Sequence, residues 1–244
     1  KIFVVDAAGN VDKEASSNVY DFSITKNVAA IWLAVTLLIV IFKGVASSYA
    51  KREGKAPKGF QSLIEPIIIF VRDDIARPNI GYKYAKFMPL LLTIFFFIWI
   101  NNLLGLIPIF PGGANVTGNI FVTFVLAFIV LLAVNLNGNK YYWKHILLPD
   151  VPWWLYPIMI PVEIIGVVSK PFALMIRLYA NISAGHIIIL SLISLIFIFK
   201  SLAIAPVSVG FVLFMNVLEL LVAFLQAYIF TMLTALFIGT ALHE

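Results

Sequence analysis

The sequence predicts an all-α integral membrane protein with about five membrane helices and a further amphipathic helix on the inner surface. Three observations predict it. Hydrophobic residues make up 62% of the 244-residue chain and charged residues only 12%, where a soluble domain carries about 25% charged. Mean hydropathy is +1.02. The apolar runs are long and unbroken, whereas the strands of a membrane barrel alternate over segments of about 10 residues. The absence of cysteine excludes disulfides and thiolate metal sites. The net charge of +5 reports topology in such a chain and not nucleic-acid binding.

Taken in order, residues 1–26 form a polar outer segment, and 27–244 form one membrane domain. Asn27–Phe42 carries no charge and, extended through 44–46, reaches the length of about 20 residues that one span needs. The basic cluster Lys43, Lys51, Arg52, Lys55 and Lys58, opposed only by Glu53, then marks the inner side. Residues 60–80 are apolar on one side but carry Glu65, Arg72, Asp73, Asp74 and Arg77. That is too much charge to span, so the stretch reads as an interfacial helix ended by Pro78. No charge occurs from Phe87 to Asn139. This suits two helices, 87–108 and 119–137, divided by the outer turn "IPIFPGGANVTGN". Lys140 and Lys144 then mark a return to the inner side.

The last two segments, 157–199 and 206–242, are longer than a span requires. At 1.5 Å per residue each would be about 55–65 Å long, against a hydrocarbon core of about 30 Å. A tilt of about 20° does not absorb that difference. They either break or lie as a long, steeply tilted hairpin, and the hairpin is the reading taken here. A lying helix also lets polar groups be strung along it without each meeting lipid. No internal repeat is apparent, which counts against an inverted-repeat transporter.

Glu163, Lys170 and Arg177 are seven apart, close to two turns, and so share one face. Each charge near the bilayer centre costs about 2.5–3.5 kcal/mol on insertion scales. Around Arg177 that face carries Ala173, Ala180 and Ala184, small residues that let another helix approach closely. One fixed cation with little bulk beside it suits an anionic group on a neighbouring helix. Arginine also stays charged where a lysine can neutralise. The bland alternative is an arginine snorkelling to headgroups; the insertion cost favours a functional one. On the last helix Asn216, Glu219 and Gln226 form a polar seam. His186 lies nine residues after Arg177, on the opposite side of its helix. If the two helices pair, Glu219 and His186 meet as a proton-relay pair; otherwise they are two separately satisfied polar residues. Asn102 and Asn115 flank the outer turn and either line a wet entrance or cap helices. Asn115-Val116-Thr117 also matches a glycosylation sequon, a weak pattern. There is no Gly-rich phosphate loop, no His cluster for a metal and no nucleophile–base pair.

The core Arg-Leu-x-x-Asn-x-x-Ala-Gly at Arg177–Gly185 and the later Leu-Gln-Ala-x-Ile-Phe at Leu225–Phe230 resemble subunit a of the F-type ATP synthase membrane sector. "NNLLGLIP" and "NVTGN" are similar to the same family's second-to-third helix region, and the resemblance covers most of 85–240. It implies a proton-channel stator subunit, not an enzyme by itself, with no cofactor and no metal. Its partners would be a ring of c subunits, b-type peripheral stalk subunits and membrane lipid, and its cargo H⁺. Arg177 would be the essential arginine facing the ring, with Asn181 and Gln226 as polar neighbours. Glu219 and His186 would be the acid–base pair of an outer half-channel, and Glu163 and Ser169 would line an inner one. Gly105 departs from relatives with an aspartate there, which removes one acidic residue from the outer entrance. The implied location is a bacterial inner membrane, or else the mitochondrial inner membrane. Two rival classes stand beside this reading. A self-contained transporter would need site and gate in one chain, and a purely structural membrane subunit would tolerate loss of Arg177.

Overall fold

The computed structural model describes residues 4–5, 11–12, 25–51, 59–106, 116–147, 152–199 and 205–243. Apart from an antiparallel pairing of β1 (Val4–Val5) with β2 (Val11–Asp12), they are nearly all helical. The long helices are α1 (Lys26–Lys51), α4 (Tyr84–Leu106), α5 (Ile120–Asn137), α7 (Tyr156–Phe199) and α8 (Ala205–His243). The shorter ones are α2 (Phe60–Phe70), α3 (Arg77–Ile80) and α6 (Lys140–Leu147). Five stretches are long and apolar enough to cross a membrane: 26–49, 61–106, 120–137, 156–199 and 205–242.

Two local expectations need correction. The helical path that starts at Phe60 does not end at Pro78. It passes through a π-helical segment, Val71–Ala76, into α3, where Pro78 occupies the first turn. A missing N–H is harmless in a first turn, so the proline is tolerated. The break falls instead at Gly81, whose φ of 73° suits glycine and few other residues. The path then continues through a short 3-10 turn into α4, so 61–106 forms one nearly continuous helical stretch. The first membrane helix also runs further than its apolar core requires, passing Lys43 to reach Lys51.

Neither of the two longest helices breaks. α7 has 44 residues and α8 has 39, which gives lengths of about 66 and 58 Å. Pro161 and Pro171 are carried inside α7. Near the hairpin's turn the Ser208 hydroxyl donates to the Leu192 carbonyl, tying the two helices together. α5 is capped by Asn119, whose side chain accepts from the Phe121 N–H at 3.0 Å.

The core forms where α4 meets the second half of α8. α8 presents Ala223, Ala227, Thr231, Ala235 and Gly239 at intervals of four, and all five are buried. Such a stripe lets backbones approach closely. A Cβ at Gly239 would strike the Asn79 carbonyl oxygen, so α3 packs its backbone directly on α8. Large side chains fill the remaining space. Phe95, Phe96, Leu91, Ile98, Phe230 and Ile238 are fully buried, and Phe95 meets Phe224 edge-on at 5.9 Å between centroids. This packing fixes α8 relative to α4 and thereby sets the walls of the site.

Candidate functional site

α4, α7 and α8 enclose a cavity of about 30 Å³. Such a volume admits about two waters. Glu219 and His186 both line it, together with Asn181, Gln226, Asn101 and Asn102. The pairing of α7 with α8 therefore brings the acid and the imidazole to the walls of one cavity. Gly185 makes that possible. A Cβ there would collide with the Glu219 carboxylate, so the glycine beside His186 lets the acid seat itself against the α7 backbone.

The amides are organised around this space. Asn181 Nδ2 donates to Gln226 Oε1 at 2.9 Å, linking α7 to α8. Asn102 is buried in the middle of its helical surroundings and caps nothing. It accepts from the Thr117 hydroxyl at 2.8 Å and donates to the Ala223 carbonyl at 3.3 Å. One asparagine thus joins α4, the segment before α5, and α8. Thr117 is 1% exposed and its hydroxyl is committed to Asn102. Asn115 lies outside the described residues.

Arg177 stands apart from the cavity. Its neighbours Leu174 and Leu178 are buried, whereas Arg177, Ala173, Ala180 and Ala184 are all exposed. The alanine-bordered face of α7 therefore points away from this chain's own core. Asn181 is exposed too, yet bonds to the buried Gln226, so it sits at the rim between cavity and outer face.

The remaining sequence candidates lie elsewhere. Glu163 is half-buried and Ser169 exposed, its hydroxyl donating to the Gly166 carbonyl at 3.1 Å. Neither lines the cavity. Lys170 places its ammonium 5.5 Å from the centre of the Phe237 ring on α8. It borders a second, smaller cavity of about 10 Å³ with Tyr142, Thr240 and Pro171. Asn216 is exposed and donates to the Val212 carbonyl of its own helix at 3.0 Å, so the seam on α8 reaches the cavity only at Glu219 and Gln226. Sequence reasoning passed over Asn101 and Thr117. Asn101 carried a signal in the doubled asparagine of an otherwise apolar helix; Thr117 carried only a sequon that pointed to another use.

The model of the ATP synthase A chain family matches residues 28–239. This chain belongs to that family. Among its relatives, "ATP synthase subunit a" of Chloroherpeton thalassium is 50% identical over 233 residues, 92% of this chain and 68% of the relative. "ATP synthase subunit a 2" of Chlorobaculum tepidum is 51% identical over 229 residues, 91% of this chain and 64% of the relative. "ATP synthase subunit a" of Myxococcus xanthus is 42% identical over 226 residues, 90% of this chain and 73% of the relative. The chain thus spans about two thirds of the length of these relatives. Membership fits the five apolar helices and makes the chain a multi-pass membrane component of such a synthase.

Proposed function

We propose that this chain is the proton-conducting stator subunit of an F-type ATP synthase, resident in a bacterial inner membrane beside a ring of c subunits and held by b-type stalk subunits. In this reading α7 and α8 lie steeply tilted in the membrane. The cavity holding Glu219, His186, Asn181 and Gln226 is the deep end of an outer half-channel. Glu163 and Ser169 border an inner half-channel on the other side of Arg177. The two do not join.

The observation that carries the reading is the division of α7 between two faces. One face delivers His186 to a polar cavity. The other presents a lone guanidinium bordered by exposed alanines. A proton entering from outside passes through Glu219 and His186 to a carboxylate on the ring. That carboxylate, now neutral, turns away through lipid and returns on the inner side. There it meets Arg177, whose permanent charge favours ionisation, and releases its proton to the inner half-channel. The same charge repels a free proton, which keeps the half-channels from short-circuiting. Each proton contributes about 2.3 kcal/mol per 100 mV of membrane potential.

The test pairs two measurements on the assembled complex: ATP synthesis under an imposed gradient, and passive proton permeability of vesicles bearing the membrane sector. Arg177→Ala should abolish synthesis and open a leak, because a ring carboxylate can then pass without ionising. Arg177→Lys should also fail, with less leak, since an ammonium in a low-dielectric interface can lose its charge. Synthesis at wild-type rates in Arg177→Ala would make the arginine structural and end this reading.

A further inference from the structure

We propose that Asn101 is a positioning residue of the proton path: its carboxamide oxygen and the Gln226 carboxamide nitrogen hold a short water relay in the outer cavity, joining Glu219 and His186 to the rim at Asn181. The inference rests on the half-channel reading above and adds to it a residue and a carrier.

Asn101 and Gln226 are each 1% exposed, and both line the cavity that Glu219 and His186 line. Each amide commits one end to the protein. Asn101 Nδ2 donates to the Phe97 carbonyl at 2.7 Å, and Gln226 Oε1 accepts from Asn181 at 2.9 Å. Each leaves its other end, Asn101 Oδ1 and Gln226 Nε2, buried without a partner among the described residues. Orphaned buried polar atoms are rare because leaving one unpaired costs about as much as the lost bond. Two on one cavity call for a common explanation.

The two orphans are complementary, one an acceptor and the other a donor. The space of about 30 Å³ between them and their neighbours admits about two waters. A water that accepts from Gln226 Nε2 and donates to Asn101 Oδ1 satisfies both atoms. Its remaining sites are open to the carboxylate and imidazole that share the cavity. The orientation of Asn101 is fixed by its own helix, since turning the amide would set its oxygen against the Phe97 carbonyl oxygen. Asn102, by contrast, has both ends engaged with protein and is not available for this task. A neutral amide neither takes up nor releases a proton, so Asn101 acts by orienting water and carries nothing itself.

The experiment measures passive proton conduction through the assembled membrane sector in vesicles, after the catalytic sector is removed. Asn101→Leu keeps the size and removes the acceptor. It should slow conduction about tenfold, the factor that one lost hydrogen bond of ordinary strength produces in a rate. Asn101→Gln keeps a neutral carboxamide, with a donor for the Phe97 carbonyl and an acceptor for water, and should bring conduction back to within about twofold. Gln226→Leu combined with Asn101→Leu should be no slower than the worse single variant, because both act on one relay. Wild-type conduction in Asn101→Leu, equal loss in the Leu and Gln variants, or multiplied losses in the double variant would each overturn the proposal. If Asn101→Leu fails to assemble, Asn101→Cys decides. It would be the sole thiol of a chain without cysteine, and silver ion should block its conduction if water reaches the site; conduction unaffected by silver overturns the relay. Glu219→Gln serves as the control for the underlying reading. A block in Glu219→Gln with normal conduction in Asn101→Leu rejects only the role of Asn101, whereas normal conduction in Glu219→Gln rejects both.

Discussion

Two stripes of small residues lie on the paired long helices, and they meet opposite fates. On α8, Ala223, Ala227, Thr231, Ala235 and Gly239 are all buried against the chain's own helices. On α7, Ala173, Ala180 and Ala184 flank Arg177 and are all exposed. The stretch that receives the buried stripe also differs from α7. In the most apolar part of 61–106 half the residues are buried, against 6% in that of 156–199. In a membrane a small-residue stripe states only that a neighbour can come close. Whether the neighbour belongs to the same chain is a separate matter. The buried stripe spends its closeness on holding α8 to α3 and α4. The bare one, with a cation at its centre, is free for something outside this chain.

Substitutions along the two stripes should therefore divide between loss of fold and loss of function. The largest stability effect is expected beside the buried stripe. Phe230 is fully buried, and Phe230→Ala should cost about 3–5 kcal/mol, read as a fall in thermal unfolding temperature of the purified complex or as loss of assembly. A smaller change in the same stripe should also be felt. Gly239→Ala gains helix propensity but drives a methyl into the Asn79 carbonyl, for a net cost of about 1–3 kcal/mol by the same measurement. An unchanged unfolding temperature would mean that α3 does not rest on α8 as described.

Between the stripes, Thr117→Val removes the hydroxyl that donates to the buried Asn102. The expected cost is about 1 kcal/mol, and thermal unfolding should show no shift if that bond is absent. The bare stripe should give the smallest stability effect. Ala180→Leu should alter stability by less than about 0.5 kcal/mol. It should nonetheless impair gradient-driven ATP synthesis, because a larger side chain beside Arg177 holds a partner helix away. Full ATP synthesis in that variant would show that nothing needs to approach this face, and the comparison between the stripes would lose its functional meaning.

The helices themselves were legible in the sequence because the bilayer leaves few alternatives. A backbone in lipid must satisfy its own polar groups, so uncharged runs of sufficient length read directly as helices. That logic located α5, α7 and α8 to within a residue or two and placed Glu219 and His186 on a pair of adjacent helices. It misjudged Pro78, because the change from π to α winding ahead of α3 leaves a proline's missing N–H without consequence, and no periodicity announces such a change. It also grouped Asn216 with Glu219 and Gln226. Spacing shows which residues share a face, not how far along the helix that face remains covered.

Residue order and composition alone settle the class of molecule, the order of its helices and the set of costly polar residues that lipid would not tolerate without a purpose. The burial of those residues was decided only in three dimensions. Gly185 and Gly239 look alike as letters in apolar helices, yet one makes room for a carboxylate and the other for a backbone carbonyl. Asn101 and Asn102 are adjacent and identical, yet one is fully bonded and the other is left with an open acceptor on a cavity. Helical periodicity is a local property, set by about 100° per residue, whereas a cavity depends on the distance between helices far apart in the chain. Packing of α4, α7 and α8 sets that distance.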